Sequence, residues 1–266
     1  MSSQKTRLKS LKDLVDTKIA DHFTLDSSAL GTHFLTNGNS LRLDLSLARN
    51  NNLTPLEIRE SLQSTEASLE FIREYSNIGA TGTVLEELAK KIEFLNLVVK
   101  TYAGRKNRVS SRNQTTFPAA IRKQKKSLNE ILQTEKETYR LFKDRLDREE
   151  LGDDVLQFIE GIVVDAQSPN TFAKNYNDER IVSESIHRAY LNDERVAIIT
   201  KDFRFKKILV ATQQAVSSDE NLRLIRDCLL QGKLIIIFGE KEGFYKRYCS
   251  SEFNPNHSKI RAYTPL

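Results

Sequence analysis

Three acids stand where chemistry is easiest to build. Asp26 ends the apolar, β-prone run of FTLDSSAL, Asp202 follows the apolar run of RVAIITKD, and Asp178 opens the helical stretch NDERI. If the two apolar runs are neighbouring parallel strands, Asp26 and Asp202 share their carboxyl edge, where open α/β sheets bind ligands. Each acid also has an ordinary role: Asp or Ser caps a helix after a strand, and an acid in a first helical turn is favoured by the dipole. Together they mean more. Crowded carboxylates raise one another's pKa and need positive compensation. An oxygen-preferring divalent cation provides it, and can activate water against phosphorus. No His/Cys spacing suggests a dedicated zinc site, while Mn²⁺ shares the oxygen preference of Mg²⁺.

The elements that would position these acids can be read from periodicity. HFTL, RVAIIT and KLIIIF are short apolar strands, and the segments between them are helix-length, so a mostly parallel sheet covered by helices is expected. A helix is predicted over Thr54–Tyr75, with Pro55 in its first turn and Leu56, Ile58, Leu62, Leu69 and Ile72 as its buried side. SNIGATG breaks the pattern. TVLEELAKKIEFLNLVVKTY starts another helix, with Leu85, Leu88, Ile92 and Leu95 at one-face spacing. Residues 119–150 are strongly helical in composition. LGDDVLQFIEGIVVD fits helix or strand. The helix from Asn177 turns Ile181, Ile186 and Ala189 inward and carries His187 as a satisfied helix residue. FRFKKILVATQQAV and NLRLIRDCLL read as further helices.

The chain has 266 residues, 39% apolar and 29% charged, as expected of an ordinary globular protein. Its net charge of +5 is unevenly spread: Lys100–Lys126 contains nine basic residues and no acidic one. A polyanion is the natural partner of such a run, the plain alternative being a solvated loop. Two distant cysteines, Cys228 and Cys249, fit a reducing compartment. The N-terminus lacks a secretory core and no apolar run spans a bilayer, so a cytoplasmic location with no membrane partner is expected.

In order, FTLDSSAL, TVLEEL, NDERI and VAIITKDFRF resemble the motifs of the PIN-domain family of metal-dependent nucleases. The resemblance implies an α/β fold, a three-layer PIN-like domain with a mostly parallel central sheet and an inserted helical arm. It divides the chain into 1–99 and 151–266 as the two parts of that domain and 100–150 as the basic arm. It also implies an endoribonuclease holding Mg²⁺ or Mn²⁺ through Asp26, Glu87, Asp178 and Asp202, with Thr200 as a supporting hydroxyl. Glu86 is the alternative to Glu87, since adjacent helical residues point about 100° apart. Arg204 stands where many members carry a further Asp or Asn.

On this reading Arg105, Lys106, Arg108, Arg112, Arg122, Lys123, Lys125 and Lys126 contact phosphates, and Tyr102 and Phe117 are aromatic candidates for stacking. The expected partner is RNA, structured or with single-stranded segments, and the inserted helices could pair between chains. The competing readings are a DNA nuclease, a non-catalytic RNA-binding scaffold, and a plain α/β protein whose acids are caps.

Overall fold

A computed structural model describes residues 11–30, 54–104, 117–146, 153–167, 176–217, 219–239 and 245–253. They divide into two compact units. The first contains the described residues within 1–28, 77–84 and 146–266, the second those within 29–76 and 85–145. The second unit thus takes in described residues within 29–76 and 85–99 along with those within 100–145 of the segment expected at 100–150.

Among its described residues the first unit has five strands: β1 (His22–Leu25), β2 (Ile78–Gly79), β3 (Val196–Thr200), β4 (Leu234–Gly239) and β5 (Tyr245–Cys249). Their order is β2-β1-β3-β4-β5. The first four pair in parallel and β5 closes the edge antiparallel to β4. Every residue of β1 and β3 is buried, as are five of the six in β4, which is why these strands read as continuous apolar runs rather than alternating ones. The result is an α/β fold with a mostly parallel sheet, consistent with a three-layer arrangement.

Two strands were not legible. β2 lies inside SNIGATG, which reads as a break, and is only two residues long. A Cβ on Gly79 would stand 2.8 Å from the His22 ring, so any larger residue here would have to push that ring aside. β5, YKRYC, is a polar edge strand of the kind antiparallel pairing permits.

The helices of this unit are α1 (Leu11–Asp16), α5 (Asp153–Asp165), α6 (Asn177–Leu191), α7 (Arg204–Ser217) and α8 (Arg223–Leu230). LGDDVLQFIEGIVVD resolves as helix α5, with Ile159 and Val163, four residues apart, buried on one face. Ile181, Ile186 and Ala189 of α6 are fully buried, as their spacing predicts. Glu184 of the same helix accepts hydrogen bonds from Thr83 N–H and, at 2.8 Å, from Thr83 Oγ1. It thereby caps the start of α3 (Gly82–Gly104), whose free N–H groups favour a carboxylate.

The second unit holds α2 (Pro55–Glu74), the rest of α3, and α4 (Phe117–Leu146). Thr54 and Glu57 form a capping box and Pro55 fills the first turn. Ile58, Leu95, Val98, Val99, Leu128, Ile131 and Leu132 make one apolar core, each contributing about 1.5–3 kcal/mol by burial. Leu56, expected on the buried side, is exposed: it lies in the first turn, on a different face from Ile58 and Ile72. Arg145 donates to the carbonyls of Ile72 (2.8 Å) and Tyr75 (3.1 Å), closing the C-terminal end of α2. Among the described residues no helix is long and apolar enough to cross a membrane.

Candidate active site at the carboxyl edge of β1 and β3

The chain passes from β1 to β2 on one side, then returns to β3 on the other. Strand order therefore reverses between β1 and β3, and a crevice at their carboxyl ends is the place where open α/β sheets bind ligands. Leu25 is in register with Ile199, so the residues following both strands emerge side by side.

Asp26 follows β1 directly. Its N–H still pairs with Ile199 O at 3.0 Å, which extends the strand and fixes the side chain at the edge. The residue is only 4% exposed. Its Oδ2 accepts hydrogen bonds from Thr200 Oγ1 (2.9 Å), Ser28 N–H (3.3 Å) and Ser28 Oγ. Ser28 Oγ in turn accepts from Lys201 N–H at 3.1 Å, so Ser28 braces this acid and the opposite loop. The local Asp–Ser contact is the ordinary turn chemistry of such residues.

Thr200, fully buried at the end of β3, links two of the acids. Its hydroxyl donates to Asp26 and accepts from the Asp202 N–H at 2.9 Å. Asp202 is exposed, and its Oδ1 accepts from Arg204 N–H at 2.8 Å as α7 begins. Asp178 lies in the first turn of α6, where the helix dipole favours a negative charge. Its carboxyl is pushed up to about 6, chiefly by burial; Arg204 opposes the rise, while Asp202, Asp26 and Glu179 add to it. Asp178 therefore feels the charges of Asp26 and Asp202, although the three come from separate segments.

Two residues complete the cluster. Arg204, at the start of α7, reaches Asp178 Oδ2 at 3.4 Å and also pairs with Glu179 Oε1. Glu179 is 2% exposed, and its second oxygen, Oε2, is buried without a hydrogen-bond partner. A buried carboxylate needs a partner charge, and Arg204 supplies it to Glu179 through the other oxygen. Glu179 was missed in the sequence because the neighbouring Asp178 fits the motif and consecutive helical residues rarely serve one site.

Carboxylate oxygens are hard donors of the type that Mg²⁺ and Mn²⁺ prefer. Among the described residues, however, no group of three or more His, Cys, Asp or Glu side chains forms a set that could hold a metal ion. The guanidinium of Arg204 is the charge seated against these acids.

Glu87 is half-buried on the part of α3 that belongs to the second unit, whereas the three aspartates belong to the first; Glu86 is exposed. Of the basic candidates, Lys123 and Lys126 are exposed on α4, Lys126 lying 3.7 Å from Glu130, and Lys125 is half-buried. Arg105, Lys106, Arg108 and Arg112 lie outside the described residues, as do the side chains of Arg122, Tyr102 and Phe117. His187 is buried in α6 as expected of a helix residue, but it is not satisfied: neither ring nitrogen has a hydrogen-bond partner. No family model matches the chain, and neither does any curated protein or solved structure compared with it.

Proposed function

We propose that the chain is a metal-dependent endoribonuclease on a PIN-like fold, with Asp26, Asp178 and Asp202 as the acids of its site. The observation that carries this reading is that Thr200 bonds both Asp26 and the Asp202 N–H where strand order reverses, with Asp178 near enough to feel both charges. The family resemblance of the four motifs adds Glu87 as a fourth acid, the divalent cation, and RNA as substrate. When bound, Mg²⁺ or Mn²⁺ would supply Lewis-acid chemistry at a phosphodiester and a more acidic water. Asp26, held by Thr200 and Ser28, presents a carboxylate of fixed orientation. Burial raises the pKa of Asp178 despite the Arg204 guanidinium beside it. Exposed Asp202 stands at the solvent side, where a polynucleotide strand can approach. In the hydrolysis itself, water adds its oxygen to phosphorus, one ribose P–O bond breaks, and the leaving oxygen takes up a proton. Lys123, Lys125, Lys126 and the other basic residues of 100–126 would hold flanking phosphates, with an affinity that falls as salt rises.

A second reading is favoured by Arg204. Its pairing with Asp178 and Glu179 already supplies positive charge to the acids, as it would in a non-catalytic RNA-binding protein on the same scaffold. Incubating the protein with labelled RNA, single-stranded DNA and duplex DNA, in Mg²⁺, Mn²⁺ or chelator, separates the readings. Metal-dependent cleavage of RNA alone is expected. Cleavage of DNA would move the substrate class, and binding without cleavage under every condition would leave the scaffold reading.

A further inference from the structure

Phe203 follows Asp202 in the chain and is 42% exposed, although it is a large apolar side chain. Its ring is held from several directions. Phe238 meets it edge-on at 5.6 Å between centroids, Tyr248 does so at 6.3 Å, and Lys206 Nζ lies 5.2 Å from its centroid. The same ammonium sits 4.3 Å from the Tyr248 ring centre, and Lys206 is itself buried. A partly exposed aromatic ring, held in place by edge-on neighbours and an ammonium over it, is suited to stacking with a flat, electron-rich ligand.

The place of this platform on the sheet matters as much as its composition. Phe238 is the register partner of Thr200, the residue that bonds Asp26, and Tyr248 is the partner of Ile236 two residues earlier on the same strand. The aromatic group therefore stands at the same carboxyl edge as the acids, on the β4–β5 side of Asp202. We propose that Phe203 is a stacking platform for an unpaired nucleobase of the RNA strand, next to the phosphate handled by the acids. A paired base is enclosed in its helix and cannot offer its face, so the platform selects for a single-stranded nucleotide at this position. The inference rests on reading the acid cluster as a phosphodiester site, but its test does not need cleavage.

A short uridine-rich RNA carrying one 2-aminopurine is titrated into the protein in chelator, beside a duplex of the same length. Binding of the single strand should quench the 2-aminopurine. Phe203→Leu, which keeps an apolar side chain but removes the ring, should weaken that binding by about tenfold, within the range for loss of one stacking ring. Phe203→Tyr should stay within about twofold of the parent. Duplex binding should be the same in all three proteins. The inference is overturned if Phe203→Leu binds and quenches like the parent, if both variants fail alike, or if duplex binding falls in parallel. Phe203-dependent quenching in a protein that cleaves nothing would uphold the platform and remove the nuclease reading. Metal-dependent cleavage with no effect of Phe203 would do the reverse.

Discussion

Thr200 Oγ1 donates a 2.9 Å hydrogen bond to Asp26 Oδ2 across two adjacent parallel strands, and the same oxygen accepts the Asp202 N–H. One buried hydroxyl thus sets the position of two acids that lie 176 residues apart in the sequence. Thr200→Val keeps the shape and leaves Asp26 and the Asp202 amide each short of a partner. Stability should fall by about 1–2 kcal/mol, and RNA cleavage should slow by about ten- to a hundredfold as the acids lose alignment. Thr200→Ser should recover most of both, as read by denaturant unfolding and single-turnover assays.

Asp178 provides a signed pH effect. Its folded carboxyl titrates near 6 against an ordinary 3.8, so the folded state holds the proton more tightly than the unfolded one. Its destabilising effect is therefore absent below pH about 4, grows as pH rises, and is complete above pH about 6. Asp178→Asn should stabilise the metal-free protein by about 1–3 kcal/mol at pH 7, with the gain vanishing towards pH 4. Urea unfolding at the two pH values checks this.

His187 acts in the opposite direction. Burial holds its pKa below the ordinary 6.5, so the ring stays neutral in the folded state while the unfolded chain takes up a proton. Its contribution to stability is lost as pH falls below about 6.5. His187→Leu should flatten the stability profile between pH 5 and 7, whereas a parallel loss in parent and variant would place the acid sensitivity elsewhere.

Removing Arg204 tests what compensates the acids. Arg204→Ala leaves Glu179 buried and unpaired, and should cost about 3 kcal/mol in chelator. Addition of millimolar Mg²⁺ should restore stability in the variant more than it stabilises the parent, because binding to the folded state adds stability by mass action. A loss that Mg²⁺ leaves untouched would mean that these acids take no divalent cation.

How much was legible follows from what each residue needs. Asp26, Asp178 and Asp202 stand at element ends that periodicity locates: two apolar runs and one helix start. The buried strands β1, β3 and β4 advertise themselves because parallel central strands are apolar on both faces. Glu179 and Arg204 become partners only when α6 and α7 are brought together, a pairing over 25 residues that no local pattern encodes. The Phe203–Phe238–Tyr248 group depends on the register of β4 with an antiparallel edge strand whose sequence, YKRYC, carries little apolar signal. Leu56 was misplaced because its composition suits a buried face while its first-turn position does not. Glu87 rests on the motif alone, since it and the aspartates belong to different compact units.

The most direct measurement compares single-turnover RNA cleavage by the parent protein with that by Asp26→Asn, Asp178→Asn and Asp202→Asn in Mg²⁺ and in Mn²⁺, with RNA affinity determined in parallel. The account predicts metal-dependent cleavage by the parent and a loss of at least about a hundredfold in rate in each variant, with RNA affinity preserved. Cleavage that persists unchanged in Asp26→Asn and Asp202→Asn, or a parent protein that binds RNA and cleaves none with either metal, would contradict it.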